Sequence, residues 1–164
     1  GLGFDGARLK WPNDIVVPGG DGMRKLGGLL VEGGGEAGGP ARAVLGLGLN
    51  VAMPASPAAA IGQPWVDLAT LAGGAVPGRN AIAAALLAGS LPALAEFDAT
   101  GLAPFVQRHA ALDVLAGREV LLHGEHGSTA ATALGLAPDG ALRVRIGGRE
   151  RLVHAGEVSV RVAP

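Results

Sequence analysis

Apolar positions follow three successive patterns along the chain, and each predicts a different kind of structure. Through residue 53 they come as short runs separated by glycine-rich turns, the mark of strands. Residues 7–10 read as one short strand, closed by Trp11-Pro12-Asn13-Asp14, where Pro12 has no N–H to give a ladder. Ile15-Val16-Val17 is β-branched and brief, and Pro18-Gly19-Gly20-Asp21-Gly22 then punctuates the chain as a turn. Residues 25–32 and 43–49 are apolar runs on either side of the loop 33–40. Such runs predict an antiparallel pair, and because both faces read as apolar the pair is expected to be fairly buried.

From 54 to 78 the chain is loose and rich in Pro, Ala and Gly, with a short helix expected over 66–72. Asn80 is placed to cap a helix running to residue 98. Ile82, Leu86, Leu94 and Phe97 share one face of it at a helical period, and Pro92 should kink it or split it in two. A second short helix is expected over 103–112. From Gly117 the character changes to strands, expected at 118–123, 129–136, 141–146, 149–154 and 157–162. Leu142, Val144 and Ile146 alternate with Arg143 and Arg145, the pattern of a half-buried strand. Asp139-Gly140 and Gly147-Gly148 read as primed hairpin turns, which need positive φ at both central positions. Strands so closely spaced predict a small closed barrel. The expected fold class is α+β, divided between residues 114 and 115.

Composition narrows the function. With 49% hydrophobic and 16% charged residues in a chain of 164, a real core can form, which excludes wholesale disorder. The 13 basic and 14 acidic residues nearly cancel, which argues against a generic polyanion binder. Cysteine is absent, so disulfide scaffolds, Cys-ligated zinc and a thiol nucleophile are excluded; a cytoplasmic protein fits. Mean hydropathy is +0.38, but alanine and glycine raise it. The longest uninterrupted apolar run, 81–88, is shorter than the roughly 18–20 residues that span a bilayer, so no membrane partner is expected. No signal peptide is read near the start. The chain opens on Gly1 and enters a strand at once, and it is expected to be the downstream part of a longer protein.

Candidate chemistry gathers around two residues. Lysine occurs only at 10 and 25, against eleven arginines. Where arginine is the default cation, a lysine marks a place for a compact point charge on one carboxylate or phosphate oxygen. Lys10 is followed by Trp11-Pro12-Asn13-Asp14, an aromatic side chain, a rigid turn, an amide and a carboxylate; the indole is either a site wall or core. Lys25-Leu26-Gly27-Gly28 opens an apolar strand with paired glycines, which fit a close ligand, another backbone or a bulge. Gly46-Leu47-Gly48-Leu49-Asn50 lacks the third glycine and the helix of a dinucleotide fingerprint. The glycine-rich stretch 33–39 lacks the GK[ST] of a phosphate loop and reads as a hairpin loop. His123-x-x-His126 has no further ligand at metal-site spacing and reads as a solvated turn, so no protein-held metal is expected.

Read together, Leu9-Lys10-Trp11-Pro12-Asn13-Asp14, Arg24-Lys25-Leu26-Gly27-Gly28-Leu29-Leu30-Val31-Glu32 and Gly46-Leu47-Gly48-Leu49-Asn50-Val51 resemble, in order and spacing, the successive signatures of the biotin–protein ligases. The helices over 80–112 and the tail Gly156-Glu157-Val158-Ser159-Val160-Arg161 are similar to that family's C-terminal, SH3-like part. The resemblance implies a partial, class II aminoacyl-tRNA-synthetase-like mixed sheet with helices over 1–114 and an SH3-like barrel over 115–164. It implies a two-step reaction. Biotin's carboxylate attacks the α-phosphate of Mg2+-ATP to give biotinyl-AMP and pyrophosphate, and a lysine of a biotin carboxyl carrier protein, the acceptor domain of acetyl-CoA carboxylase, then attacks the anhydride. Lys25 would bridge the biotin carboxylate and the α-phosphate, and Asp14 would orient the incoming amine. Gly27 and Gly28 would leave room for the biotin rings, and Gly46 and Gly48 would line that pocket. Lys10, Asn13, Asn50 and Arg161 would meet ATP, with Glu157 beside Arg161.

The chain departs from the family in one respect: the glycine- and arginine-rich loop that lies upstream of the lysine–tryptophan motif is not in it, which puts activity of the isolated chain in question. The competing expectation is an incomplete fragment that only binds nucleotide, biotinyl-AMP or a partner chain. The open strand edges of a cut sheet invite self-association, a homodimer included. A lipoate–protein ligase-like enzyme is a lesser alternative. A nucleic-acid-binding barrel built on Arg143, Arg145, Arg149 and Arg151 ranks below these. Nucleic acid otherwise enters only through a further N-terminal domain.

Overall fold

The computed structural model describes residues 4–20, 22–35, 39, 42–54, 61–124, 127–156 and 158–162. It divides into two compact units, Gly1–Arg8 with Asn13–Ile82 and Leu9–Pro12 with Ala83–Pro164.

Strand β1 (Arg8–Lys10) has only its first residue in the first unit, which is built on β2 (Asp14–Gly19), β3 (Gly22–Gly34) and β4 (Arg42–Leu49), in sheet order β2-β3-β4. The pair β3–β4 is antiparallel, as its apolar runs predict, and β2–β3 is antiparallel as well. Lys25 and Trp65 form an isolated parallel bridge. A short helix α1 (Leu68–Leu71) follows, two residues later than expected, because Asp67 and not an earlier residue supplies its cap. Val16, Val17, Leu26, Val66, Leu68 and Ile82 are the buried apolar residues of this unit.

Burial of the β3–β4 pair is a correction. β4 is exposed along nearly its whole length, and Leu30 and Val44 are 61% and 64% exposed. Apolarity on both faces predicts cover on both faces, but among the described residues β4 ends the sheet and no helix lies across that end.

The second unit begins with α2 (Arg79–Thr100) and α3 (Ala103–Ala110). The first residue of α2 is Arg79, so Asn80 sits inside the first turn and is not the cap, and the helix is not split at Pro92. Pro92 is exposed, so the Ala88 carbonyl that loses its N–H partner is free to bond water, which limits the cost of the proline. The apolar face is also only partly buried: Ile82 is covered, Leu94 and Phe97 are about half exposed. Counting uninterrupted apolar runs overlooked one property of α2. Its 22 residues, with a window of mean hydropathy 1.4, are long and apolar enough to cross a bilayer by length and composition alone, a test that core helices also pass. α2 is pinned to α3 at its far end. Arg108 makes two hydrogen bonds to Glu96, of 2.8 and 2.5 Å, and lies over the Phe105 ring, which packs edge-on against Phe97.

Strands β5 (Glu119–Gly124), β6 (Gly127–Leu136), β7 (Leu142–Ile146), β8 (Arg149–Val153) and β9 (Ser159–Val162) form one antiparallel sheet in the order β8-β7-β6-β5-β9. Alternation places Val120 and Leu122, Ala131 and Ala133, Leu142 and Val144, and Val153 and Val160 in one core. Closure is less complete than expected: among the described residues no ladder joins β8 to β9, and one bridge, Ala155 to Val158, lies in the connection between them. Gly147-Gly148 has positive φ at both positions, as a primed turn requires, but at Asp139-Gly140 only the glycine does. There Gly140 N–H closes a turn onto the Ala137 carbonyl and the Asp139 carboxylate accepts from Ala141 N–H, which spares Asp139 the left-handed region.

Residues 9–12 are claimed by this second unit. Leu9 exchanges hydrogen bonds with Leu112 and Val114. Trp11, joined to Pro12 by a cis peptide, is buried in the barrel core, and its Nε1–H donates to the Gly140 carbonyl at 3.1 Å. Of the two sequence readings of Trp11, core is the one realised.

Leu142 sits at the centre of that core with no exposed surface. Leu142→Ala is expected to lower the unfolding free energy by about 2–5 kcal/mol, from lost transfer energy and the cavity left behind, as a reduced urea midpoint will show.

Candidate functional site

The site is organised by an irregularity in the β2–β3 ladder. Asp14 pairs with Gly28 and Ile15 with Gly27, but Val16 pairs with Lys25, so Leu26 is an extra residue on β3. In regular pleating, residues three apart point to opposite faces. A bulge resets that alternation and re-aims side chains. Here it brings Lys25 to the side of Gly28, and Gly28 lies directly opposite Asp14. Lys25 Nζ consequently sits 2.5 Å from Asp14 Oδ1, in a pair only partly exposed. Gly28 sits against the pair: a Cβ there would stand in ordinary contact with Lys25 Cε and Asp14 Oδ1, at 3.4 and 3.5 Å, and slightly tight against the Asn13 carbonyl oxygen, at 3.3 Å.

Asn13 fixes the turn that carries Asp14. Its carbonyl accepts from Leu29 N–H at 2.9 Å and its Nδ2 donates to the Leu29 carbonyl at 2.6 Å, so this amide holds the turn onto β3. Gly27 has a different reason from Gly28. A Cβ at 27 would fall 2.5 Å from the Gly48 carbonyl oxygen across the β3–β4 ladder, so backbone proximity alone demands glycine there.

Asn50, at the end of β4, is a knot of backbone ties. Its N–H donates to the Leu26 carbonyl and its carbonyl accepts from Leu68 N–H. Its Nδ2 donates to the carbonyls of both Lys25 and Val66, at 3.1 and 3.2 Å. Lys25 is further tied to the Pro64–Val66 segment, its N–H donating to the Pro64 carbonyl and its carbonyl accepting from Val66 N–H. Trp65 is thereby held beside the lysine. Asp67 closes the arrangement: its carboxylate accepts from Thr70 N–H at 2.8 Å and from Met53 N–H at 2.7 Å.

These elements border an open cavity of about 680 Å³, a volume suited to a small organic ligand. Asn13, Lys25, Gly27, Gly28, Gly46, Gly48 and Asn50 line it, together with Ile61, Gln63 and Trp65. Seven residues singled out in the sequence thus meet at one cavity, with Asp14 joined to it through Lys25. Lys10 and Arg161 belong to the second unit, Arg161 exposed on β9 opposite Leu121. Glu157 and His126 lie outside the described residues. Among the described residues no three His, Cys, Asp or Glu gather as metal ligands. Sequence reasoning missed Trp65 and Asp67. Their signals were a second tryptophan in an Ala/Gly/Pro-rich stretch, and an Asp three residues before Thr70, the spacing of a helix cap.

Chemically, the cavity offers one ammonium whose charge Asp14 balances. Lysine has three N–H donors, so an entering anion has donors to accept beyond the one facing Asp14. The walls add apolar side chains and an indole.

Two outcomes follow from this geometry. Gly27→Ala is expected to cost about 1–3 kcal/mol, because two backbones must part. Gly28→Ala should cost less, since its tightest contact, the Asn13 carbonyl oxygen at 3.3 Å, needs only a few tenths of an ångström of relief; equal losses in urea unfolding would contradict the distinction. The second outcome concerns acid. The Thr70 side-chain hydrogen bond, aided by the backbone N–H of Met53 and against the opposing effect of burial, holds the Asp67 carboxyl below its ordinary 3.8. A native value below the unfolded one stabilises the fold above the unfolded value, and that stability is lost as pH falls through the native value. Asp67→Asn should therefore flatten the acid limb of stability below about pH 4, measured by urea unfolding at stepped pH.

Residues 116–161 match the family model of the biotin protein ligase C terminal domain. The chain is 35% identical over 162 residues to the bifunctional ligase/repressor BirA of Escherichia coli K12, covering 99% of this chain and 49% of that protein. BirA of Salmonella typhimurium LT2 matches at the same identity and coverage. In fold, biotin protein ligase from Aquifex aeolicus gives a TM-score of 0.79 at 24% identity, over 96% of this chain and 65% of that chain. The same Aquifex protein in complex with biotin and ATP gives 0.76 at 23% identity, over 96% and 62%. The chain spans about half the length of the curated relatives it matches. Sequence and fold thus point the same way: the chain is similar to the BirA ligase/repressors over 162 residues, its fold is similar to that of the Aquifex ligase, and residues 116–161 match the biotin protein ligase C terminal domain.

Proposed function

We propose that the protein carrying this chain is a biotin–protein ligase, and that the cavity beside Lys25 is where biotin is activated. The observation that carries this reading is the ion pair itself. A bulge, a glycine and a cross-strand carboxylate combine to hold one ammonium against a cavity of ligand size.

In the first step a carboxylate oxygen of biotin bonds to the α-phosphorus of ATP, and the bond to the β-phosphate oxygen breaks to release pyrophosphate. Two anions must converge, and negative charge grows on the α-phosphoryl oxygens. A preorganised cation in a partly dry site lowers that barrier. Lys25 is the proposed catalytic cation, drawing on donors beyond the one given to Asp14. Mg2+ enters with the ATP phosphates as part of the substrate. In the second step an acceptor lysine attacks the acyl carbon and AMP leaves; Asp14 is proposed to orient that amine. The acceptor is proposed to be the biotin carboxyl carrier domain of acetyl-CoA carboxylase.

Gly27, Gly28, Gly46 and Gly48 are proposed to border biotin, an assignment supported by their place on the cavity wall. Asn13 and Asn50 are proposed for the nucleotide side; the Nδ2 groups of both are engaged with backbone carbonyls, so contact to nucleotide would fall to their remaining atoms. Lys10 and Arg161 are proposed ATP contacts on the motif resemblance. A division at 114/115, with a partial catalytic domain before it and an SH3-like domain after it, is supported by a family match that begins at 116. A cytoplasmic setting suits a chain without cysteine.

The deciding experiment uses the longer protein that carries this chain. Lys25→Ala should cut biotin-dependent pyrophosphate release by on the order of 10²–10³-fold, the scale of losing one group aimed at developing charge. Lys25→Arg should restore little of it, because a planar fork does not replace a point charge. Unchanged release in Lys25→Ala would refute the assignment.

A further inference from the structure

Among the described residues, the one buried charged side chain is Asp67, 5% exposed. It does not line the cavity, and no motif contains it. Both of its oxygens are engaged, one by Thr70 N–H in the first turn of α1 and the other by Met53 N–H. Met53 lies three residues beyond Asn50, and Asp67 lies two beyond Trp65. Two arms of chain therefore leave the cavity, 50–53 from the end of β4 and 65–67 from the bridge to Lys25. Hydrogen bonds from Leu68 N–H to the Asn50 carbonyl and from Ala69 N–H to the Val51 carbonyl lace the same arms together. The carboxylate is a second side-chain clasp across them, placed farther from the cavity than the Asn50 Nδ2 bond to the Val66 carbonyl.

A helix cap needs one acceptor, and serine, threonine or asparagine supplies it as well as aspartate does. A buried ionised carboxylate carries a desolvation cost that a neutral cap avoids. The oxygen on Met53 is thus an addition that α1 does not require, and what it restrains is the spacing of two cavity walls.

We propose that Asp67 is a positioning residue whose clasp on Met53 holds Asn50 and Trp65 at the separation that shapes the cavity beside Lys25. The proposal rests on the reading of that cavity as the biotin and ATP site. Opening the clasp loosens the walls and leaves the Lys25–Asp14 pair, which is set by the β2–β3 bulge, in place. Interactions made equally in ground and transition states are lost, so KM rises while kcat is held.

Asp67→Asn separates the two roles. Its oxygen can still cap Thr70, but an amide N–H2 then faces the Met53 N–H. Asp67→Ser keeps the cap and removes the clasp by shortening, and decides by the same readouts if the asparagine variant fails to fold. Kinetics are measured in the longer protein with biotin and ATP. Acrylamide quenching of Trp65 is measured in this chain, where Trp11 is shielded in the barrel core. The expected result is a KM for at least one ligand raised by about tenfold, with kcat within about threefold of the parent, and a Trp65 more open to quenching. A lowered melting temperature with unchanged KM and quenching would make Asp67 a stabiliser only and overturn the proposal. So would a kcat that falls as far as KM rises. If the parent turns over neither ligand, the ligase reading fails separately and quenching alone decides: a Trp65 equally shielded in variant and parent overturns the clasp, and a more accessible one upholds it.

Discussion

The extra residue at Leu26 is the constraint from which the site derives. Without it, pleating would send Lys25 and Gly28 to opposite faces of β3, and Lys25 could not reach the carboxylate that faces Gly28 across the ladder. With it, three separate requirements are met together. Asp14 is presented by a turn that Asn13 fastens to Leu29. The amine reaches that carboxylate alongside Gly28. The Lys25 backbone is still able to bond to Pro64, Val66 and the Asn50 amide, which brings an indole to the same place. The side chain and the backbone of a single residue thus organise opposite sides of the cavity.

The run Trp11-Pro12-Asn13-Asp14 is dense in the sequence because it serves two units at once. Trp11 and Pro12 belong with the second unit and Asn13 and Asp14 with the first. Trp11 completes a barrel core and gives its N–H to the Gly140 carbonyl, while the two residues after Pro12 define the neighbourhood of Lys25. A motif can therefore be functional as a whole although one of its most conspicuous members is core. The indole that does face the cavity is Trp65, more than fifty positions away in sequence.

What could be read from sequence divides along physical lines. Strands and the barrel core were legible because alternation of apolar and polar residues is a local property, as Leu142, Val144 and their arginine neighbours illustrate. Convergence of Lys25, Gly28, Gly48 and Asn50 came from the motif resemblance; the residues alone showed only that paired glycines at 27 and 28 permit a close approach. The bulge was not legible: nothing in Lys25-Leu26-Gly27 distinguishes an extra residue from regular pleating until the partner strand is known. The burial of β4 was misread because apolarity shows what a strand could cover, not what covers it. That Pro92 leaves its helix unsplit was not legible for a related reason, since the cost of a missing N–H depends on whether water reaches the orphaned carbonyl. Asp67 escaped notice because a cap signal ahead of a four-residue helix is weak, and the bond that matters most to the cavity comes from Met53.

The pairing of Lys25 with Asp14 also explains why arginine, so common elsewhere in the chain, is absent from this position. A guanidinium facing one carboxylate tends toward a two-pronged bond that spends its donors on that partner. An ammonium gives one donor to Asp14 and keeps others directed elsewhere. The lysine stem runs at ordinary contact distance from where a Cβ at 28 would be. A site that balances its cation with Asp14, and that is proposed to take an anion, is served by a compact charge with divisible donors. That requirement, set by the geometry of two strands and one extra residue, is what selects lysine here.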